Sequence, residues 1–473
     1  MQLKLPHVID FPESVLQNIG NLCFTDWVVF PLSKDEPRRV MSQVSSKWRR
    51  IFISTPSYWS AIDLTPTHFH NMKNAINQAE AFIGRSGNLP VSLRFHMAVQ
   101  DSGNQENLVV ESMLAYYNVV RRVLILSDSR LQSLQCTMSE TDAFKLFKSR
   151  SFPILDNINV TVIADPNVDH THTSPQSGRF KFTGFQTAPI LRKATLLFLI
   201  PFRPIELRLP WSHLTELHLG HSPIPVENFM WMMDNSRSLE NASFHIGIDT
   251  PSNSNAPRHR SLRKVTMSNL RLLRLILLQP SKYPSIFGLL YLPALEEIWL
   301  ERGELGMRRN MSIYRKLVSA SRATLKRIIL NEFVLGPTSA QSSASSPRRL
   351  VYKAVDGFFQ FSQNITSLHL STGVYLNPTT LEQLSTGKLL PLLEMLEVST
   401  FNGWDIVSMV ERRNTLSKHG ISSSTSLGPQ LQVCALAYLY LFVFAYDMDL
   451  RQRSYLEAAV AALDLADYRL GFA

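Results

Sequence analysis

The chain has 473 residues, 45% of them hydrophobic, enough for a large core or an extended repeat array, and its 18% charged residues are too few for wholesale disorder. The net charge of +10 comes from Lys and Arg scattered among acids, which argues against nucleic acid as the main partner. Three widely separated cysteines, Cys23, Cys136 and Cys434, exclude a disulfide framework and a cysteine metal site, and suit a reducing compartment, cytoplasmic or nuclear. The N-terminus lacks the basic-then-apolar layout of a signal peptide, so triplets such as Asn159-Val160-Thr161 are expected to carry no sugar.

The first element is a helix. In Phe11-Pro12-Glu13-Ser14-Val15-Leu16-Gln17-Asn18-Ile19 a proline stands where a first turn tolerates it, and a glutamate follows where the helix dipole favours it. Val15, Leu16, Ile19 and Cys23 continue as a helical stripe, and a connection containing Pro31-Leu32-Ser33 follows. Val40, Val44 and Trp48 then recur every four residues, with Ile51 and Phe52 on the next turn. Ser45-Ser46 is a cap for a second short helix, and Pro56 forbids a long continuation.

The order Phe-Pro-Glu-x-Val-Leu-x-x-Ile, then Val-Ser-Ser-Lys-Trp-Arg-Arg-Ile, then Ser-Thr-Pro-x-x-Trp59 resembles an F-box. It is closest to the form abundant in mushroom-forming fungi, in which the F-box runs into a leucine-rich-repeat-like region. Phe11-Pro12 stands where Leu-Pro is usual, and Leu5-Pro6 is a rival register. The resemblance covers residues 1–64. It implies helices that dock onto a Skp-family adaptor protein and through it a cullin-based ubiquitin ligase. Phe11, Pro12, Val15, Leu16, Ile19 and Leu32 are the expected adaptor contacts. Val40, Val44, Trp48, Ile51, Phe52 and Trp59 are the expected F-box core.

Beyond Trp59 a short strand ends at Leu64. Met72, Ala75, Ile76, Ala79 and Ile83 mark an amphipathic helix that stops at Gly84-Arg-Ser-Gly87, and Val91, Leu93 and Phe95 alternate as a strand. An apolar-x-x-apolar-x-apolar pattern then recurs. Its clearest copies start at Leu214, Leu295, Leu325, Ile365 and Leu393, and weaker ones at Val120, Leu155, Leu239 and Leu262. The last two apolar positions of a copy alternate on a strand and face a core, and the first sits in the turn before it. Helical stripes intervene at Val226, Phe229, Met230 and Met233, at Ile313, Leu317 and Val318, and at Val351, Val355, Phe358 and Phe359. Stretches 165–175, 250–257 and 336–347 read as exposed loops. The fold expected is α/β: a three-helix F-box, then an irregular leucine-rich-repeat-like solenoid over 65–426.

Residues 427–473 are expected to form an apolar helical tail. Gly403 to Glu411 reads as a helix before it. Leu431 to Tyr446 is almost uninterrupted apolar, short of the ~20 residues a membrane span needs, and reads as a buried or capping helix, with a tail anchor as the alternative. The last segment, around Ala458 to Ala462, favours helix.

No constellation points to catalysis or to a cofactor. There is no phosphate-binding Gly-rich loop, no nucleophile elbow and no Cys-x-x-Cys, and His170 with His172 has no further ligand at metal-site spacing. Lys47, Arg49 and Arg50 are read as exposed positions around a buried Trp48. The expected function is a non-enzymatic substrate adaptor whose repeats bind a protein. A repeat scaffold that engages no ligase, and a membrane-attached protein, are the alternatives.

Overall fold

The computed structural model describes residues 11–24, 27–66, 72–97, 106–148, 150–164, 184–199, 207–247, 263–277, 286–302, 315–332, 359–371, 376–400, 402–418, 433–443 and 448–472. The chain is α/β, with eleven α-helices among the described residues and long parallel sheet that does not close. It divides into two compact units, Met1–Ser222 and Pro223–Ala473.

The first unit opens with three helices, α1 (Glu13–Cys23), α2 (Pro37–Val44) and α3 (Ser46–Ser54), with strand β1 (Val28–Phe30) between the first two. Strands β2 (Ala61–Leu64), β3 (Val91–His96), β4 (Leu131–Ser139), β5 (Asn157–Ile163), β6 (Lys193–Phe198) and β7 (Glu216–Ile224) follow, each parallel to the one before. Parallel neighbours in chain order require a crossover between each pair. Helices α4 (Met72–Arg85), α5 (Glu106–Ser127) and α6 (Glu140–Phe147) supply three of these.

The second unit repeats the scheme. Helix α7 (Val226–Asn235) precedes β8 (Asn241–Ile246), and β9 (Val265–Thr266) pairs with β11 (Leu290–Tyr291) as a small separate sheet. The main ladder runs through β8, β10 (Leu272–Leu277), β12 (Glu297–Arg302), β13 (Arg327–Glu332), β14 (Ser367–Leu370), β15 (Met395–Thr400), β16 (Tyr438–Val443) and β17 (Asp467–Phe472). Helices α8 (Arg315–Ala320), α9 (Pro378–Ser385), α10 (Gly403–Lys418) and α11 (Leu450–Ala461) complete it.

The apolar pattern explains the core. In the copies at Leu214, Leu295, Leu325, Ile365 and Leu393, all three apolar positions are buried, the last two side by side with their neighbours across the ladder. The first position closes a tight turn: Leu295 N–H donates to Leu292 O, Ile365 to Ser362 O and Leu393 to Leu390 O. Side chains of Val226, Phe229, Met230 and Met233 are buried from α7, with Phe229 edge-on to Phe244 at 5.1 Å.

Several expectations need correction. The copy at Val120 is helical, inside α5; the strand position falls eleven residues later at Leu131-x-x-Leu134-x-Cys136. In the copy at Leu262, Val265 and Thr266 belong to the two-stranded sheet, and the ladder position is taken by Leu270-x-x-Leu273-x-Leu275. The apolar run 431–446, expected to be a helix or a tail anchor, is not helical where it is described. Tyr438–Val443 is strand β16, flanked by β15 and β17, with Leu439, Leu441 and Val443 buried. Among the described residues no helix is long and apolar enough to cross a membrane. The three loop stretches, the pair His170 and His172, Leu5-Pro6, Ile313 and the stripe from Val351 to Phe358 lie outside the described residues.

The α9–α10 region is fastened by a buried arginine. The guanidinium of Arg413 donates to the carbonyls of Leu384, Leu390, Pro391, Leu393 and Cys434 at 2.7–3.3 Å. Burial lowers its pKa to about 10, which leaves it charged at neutral pH. Asn414 beside it bonds both the N–H and the carbonyl of Leu436, two residues before β16.

Candidate functional site

The N-terminal helices are held by an aromatic cluster. Phe24 meets Phe52 edge-on at 5.3 Å and Tyr58 at 4.9 Å, and Trp48 meets Phe52 at 5.5 Å. Trp48, Ile51, Phe52, Tyr58 and Trp59 are buried. Gly20 lets α1 approach: a Cβ there would lie 2.5 Å from Tyr58 Oη and 2.8 Å from Phe52 Cε1.

Hydrogen bonds tie the helices across the cluster. Tyr58 Oη donates to Gln17 O at 2.8 Å, Trp59 Nε1 to Phe52 O at 2.9 Å, and Lys47 Nζ to Phe11 O at 2.7 Å. Arg38 is buried, pairs with Glu36 at 2.5 Å, donates to Tyr58 O and rests over the Phe24 ring. Burial raises the Tyr58 phenol above its ordinary pKa.

Ser45 caps α3 as the sequence indicates: its Oγ accepts from Trp48 N–H, and its extended backbone breaks the helix. That break corrects two assignments. Val40 and Val44 are not core; they are 47% and 49% exposed on α2, which buries Arg38 instead. Leu16 is corrected the other way: it is fully buried and belongs to the packing rather than to a contact surface.

Of the other expected contacts, Pro12 and Val15 are exposed, Phe11, Ile19 and Leu32 are half-buried, and Pro12 is the N-cap rather than the first helical residue. Leu22, which the sequence reading passed over, is 80% exposed. It follows Val15 at i+7 and Ile19 at i+3, so α1 carries one apolar stripe that faces outward, and Val40 with Val44 forms a second on α2. Arg39, Arg49 and Arg50 are exposed on α2 and α3.

The first unit's sheet carries a second surface, on the face away from its core. In register across β2 to β7 stand Asp63, Arg94, Gln135, Asn159, Thr195 and His218. Arg94 pairs with Asp63 at 2.5 Å and stacks on Trp27, closing one end of the row. At the other end Glu216 is bonded by His218 and Lys193; burial pushes its pKa up, but the hydrogen bonds from these two side chains outweigh it and the carboxyl falls below its ordinary value.

The second unit's equivalent face is charged and aromatic. Arg274 lies over the Trp299 ring at 3.9 Å and pairs with Glu301 at 2.9 Å, His369 meets Glu397 at 2.6 Å, and Arg469 lies over Tyr440. Tyr438, Tyr440 and Phe442 alternate along β16 opposite its buried Leu and Val residues. Among the described residues no group of three or more His, Cys, Asp or Glu side chains is placed to hold a metal ion. Compared with protein-family models and with curated proteins, the chain matches none.

Proposed function

We propose that this protein is the substrate-recognition adaptor of a Skp-cullin-F-box ubiquitin ligase. In this reading α1–α3 are an F-box that docks a Skp-family adaptor, the strands and helices after it are a leucine-rich-repeat-like solenoid, and their sheets bind a protein substrate. Ubiquitin chemistry belongs to other subunits.

The observation that carries the reading is the pair of outward apolar stripes, exposed Val15 and Leu22 with half-buried Ile19 between them on α1 and exposed Val40 and Val44 on α2, on helices whose other faces are already packed. Exposed, regularly spaced apolar residues on a well-packed helical unit suit a partner that supplies helices of its own. The sequence order of the F-box motif supports the identity of that partner.

The test is capture of a Skp-family adaptor by the full chain, compared with a Val15→Asp, Leu22→Asp variant. Both positions are exposed, so the variant is expected to keep its circular dichroism and thermal midpoint while losing the adaptor. A folded wild-type chain that captures no adaptor, or a variant that captures it equally well, contradicts the proposal.

A further inference from the structure

The sheet of the second unit ends on an open edge. Among the described residues β17 pairs with β16 alone, residue for residue from Asp467 to Phe472. Strand edges are normally blunted by shortness, by Pro or Lys, or by a bulge. The first unit's edge strand β1 fits that rule: it has three residues, with Val28 and Phe30 buried. Strand β17 does not. It runs six residues, Asp-Tyr-Arg-Leu-Gly-Phe, and contains no Pro, no Lys and no bulge.

The inward side of this strand is only partly covered. Tyr468, Leu470 and Phe472 are the register partners of Leu439, Leu441 and Val443. Those three are buried, whereas Tyr468 is 44% exposed and Leu470 and Phe472 are half-buried. Inner strands of a stacked array are covered by the next repeat, and β17 has none beside it among the described residues. Its main chain is open too. Asp467 N–H reaches Ala437 O on the β16 side at 3.4 Å. Main-chain groups alternate in direction along a strand, so those of Asp467, Arg469 and Gly471 turn to β16 and those of Tyr468, Leu470 and Phe472 to the open edge.

The charges on the strand identify what fits there. Asp467 and Arg469 are exposed on its outward face, two residues apart and of opposite sign. Tyr440 holds both: its hydroxyl donates to Asp467 Oδ2 at 3.3 Å, and the Arg469 guanidinium lies over its ring at 5.2 Å. Neither forms an ion pair among the described residues. A second copy related by a two-fold axis brings the same strand in antiparallel. With the axis at Tyr468, the two Tyr468 residues exchange main-chain hydrogen bonds, and their rings meet on the inward side. Asp467 of each copy then stands opposite Arg469 of the other, in the closely spaced kind of antiparallel pair. The strand is thus complementary to itself. We propose that β17 pairs antiparallel with β17 of a second copy about Tyr468, so that two chains form a homodimer through one shared sheet. The contact uses each copy's edge once and closes at two.

The test is analytical ultracentrifugation of the full chain over a range of concentrations. The wild type is expected to pass from monomer to dimer as concentration rises. Asp467→Arg and Arg469→Asp each set like charges opposite one another twice, and each is expected to weaken the dimer by about tenfold or more. The double variant Asp467→Arg, Arg469→Asp restores both pairs and is expected to associate as the wild type does. Tyr468→Pro removes an N–H that faces the open edge and not β16, so it is expected to abolish the dimer and keep the circular dichroism of the folded chain. A wild type that stays monomeric at every concentration overturns the proposal. So does a dimer that the single reversals leave intact, or one that the double variant fails to restore. None of these outcomes bears on adaptor capture, so the dimer can fail without the proposed function failing.

Discussion

At the scale of single residues, space and burial decide the outcome. Gly20 and Gly84 are both helical glycines, where alanine is intrinsically favoured by about 1 kcal/mol. A Cβ at Gly84 meets nothing within 4 Å, whereas one at Gly20 collides with Tyr58 and Phe52. Gly84→Ala is therefore expected to raise stability by up to about 1 kcal/mol, and Gly20→Ala to lower it by about 1–3 kcal/mol through overpacking. Urea unfolding of the two variants checks the sign of each.

Tyr116 offers a test by pH. Its hydroxyl donates to Leu64 O at 2.6 Å, and burial pushes its pKa well above the ordinary 10.0. Above about pH 10 the unfolded chain gives up this proton and the folded chain keeps it, so stability falls as the pH rises. Tyr116→Phe removes that contribution. Urea midpoints measured at about pH 9 and about pH 11 should show a smaller alkaline loss in the variant than in the wild type.

At the scale of elements, the sequence was legible where one period held and misleading where two overlapped. The helix Met72–Arg85, the strand Val91–His96 and the clear repeat copies follow their periods and fold as read. Val40, Val44 and Trp48 keep a four-residue spacing in the sequence, but the extended backbone at Ser45 resets the helical phase, so Trp48 is buried while the valines are not. The cap that makes this break has a measurable value: Ser45→Ala is expected to cost about 1 kcal/mol of stability. An unchanged urea midpoint would show that the Ser45 bond to Trp48 contributes nothing.

Strand β16 misled for a different reason. Leu439, Leu441 and Val443 face the core and Tyr438, Tyr440 and Phe442 the other side, so both faces are apolar and the two-residue alternation vanishes from a hydropathy reading. The repeat signature was nonetheless present as Leu436-x-x-Leu439-x-Leu441, and all three residues are buried. The outward row around Trp299 was not legible at all, because it depends on which side chains three separate strands bring into register.

At the scale of the whole molecule, the two units repeat one device: strands in chain order, parallel, with an apolar face inward and a distinct outward face. The outward row is polar and mostly uncharged in the first unit, from Gln135 to Thr195, and charged and aromatic in the second, from Arg274 to Arg469. In the proposed account these rows bind the substrate and the N-terminal helices connect that recognition to a ligase. The measurement that bears most directly on this account is the affinity of the full chain for a Skp-family adaptor, by calorimetry, with the Val15→Asp, Leu22→Asp variant beside it. The account predicts saturable binding by the wild type and at least about a hundredfold weakening in a variant that unfolds at the same temperature, the loss of roughly 2.7 kcal/mol or more that central interface residues carry. A folded wild type that binds no adaptor, or a variant that binds as tightly, would contradict it and leave a repeat protein whose helical start serves another partner.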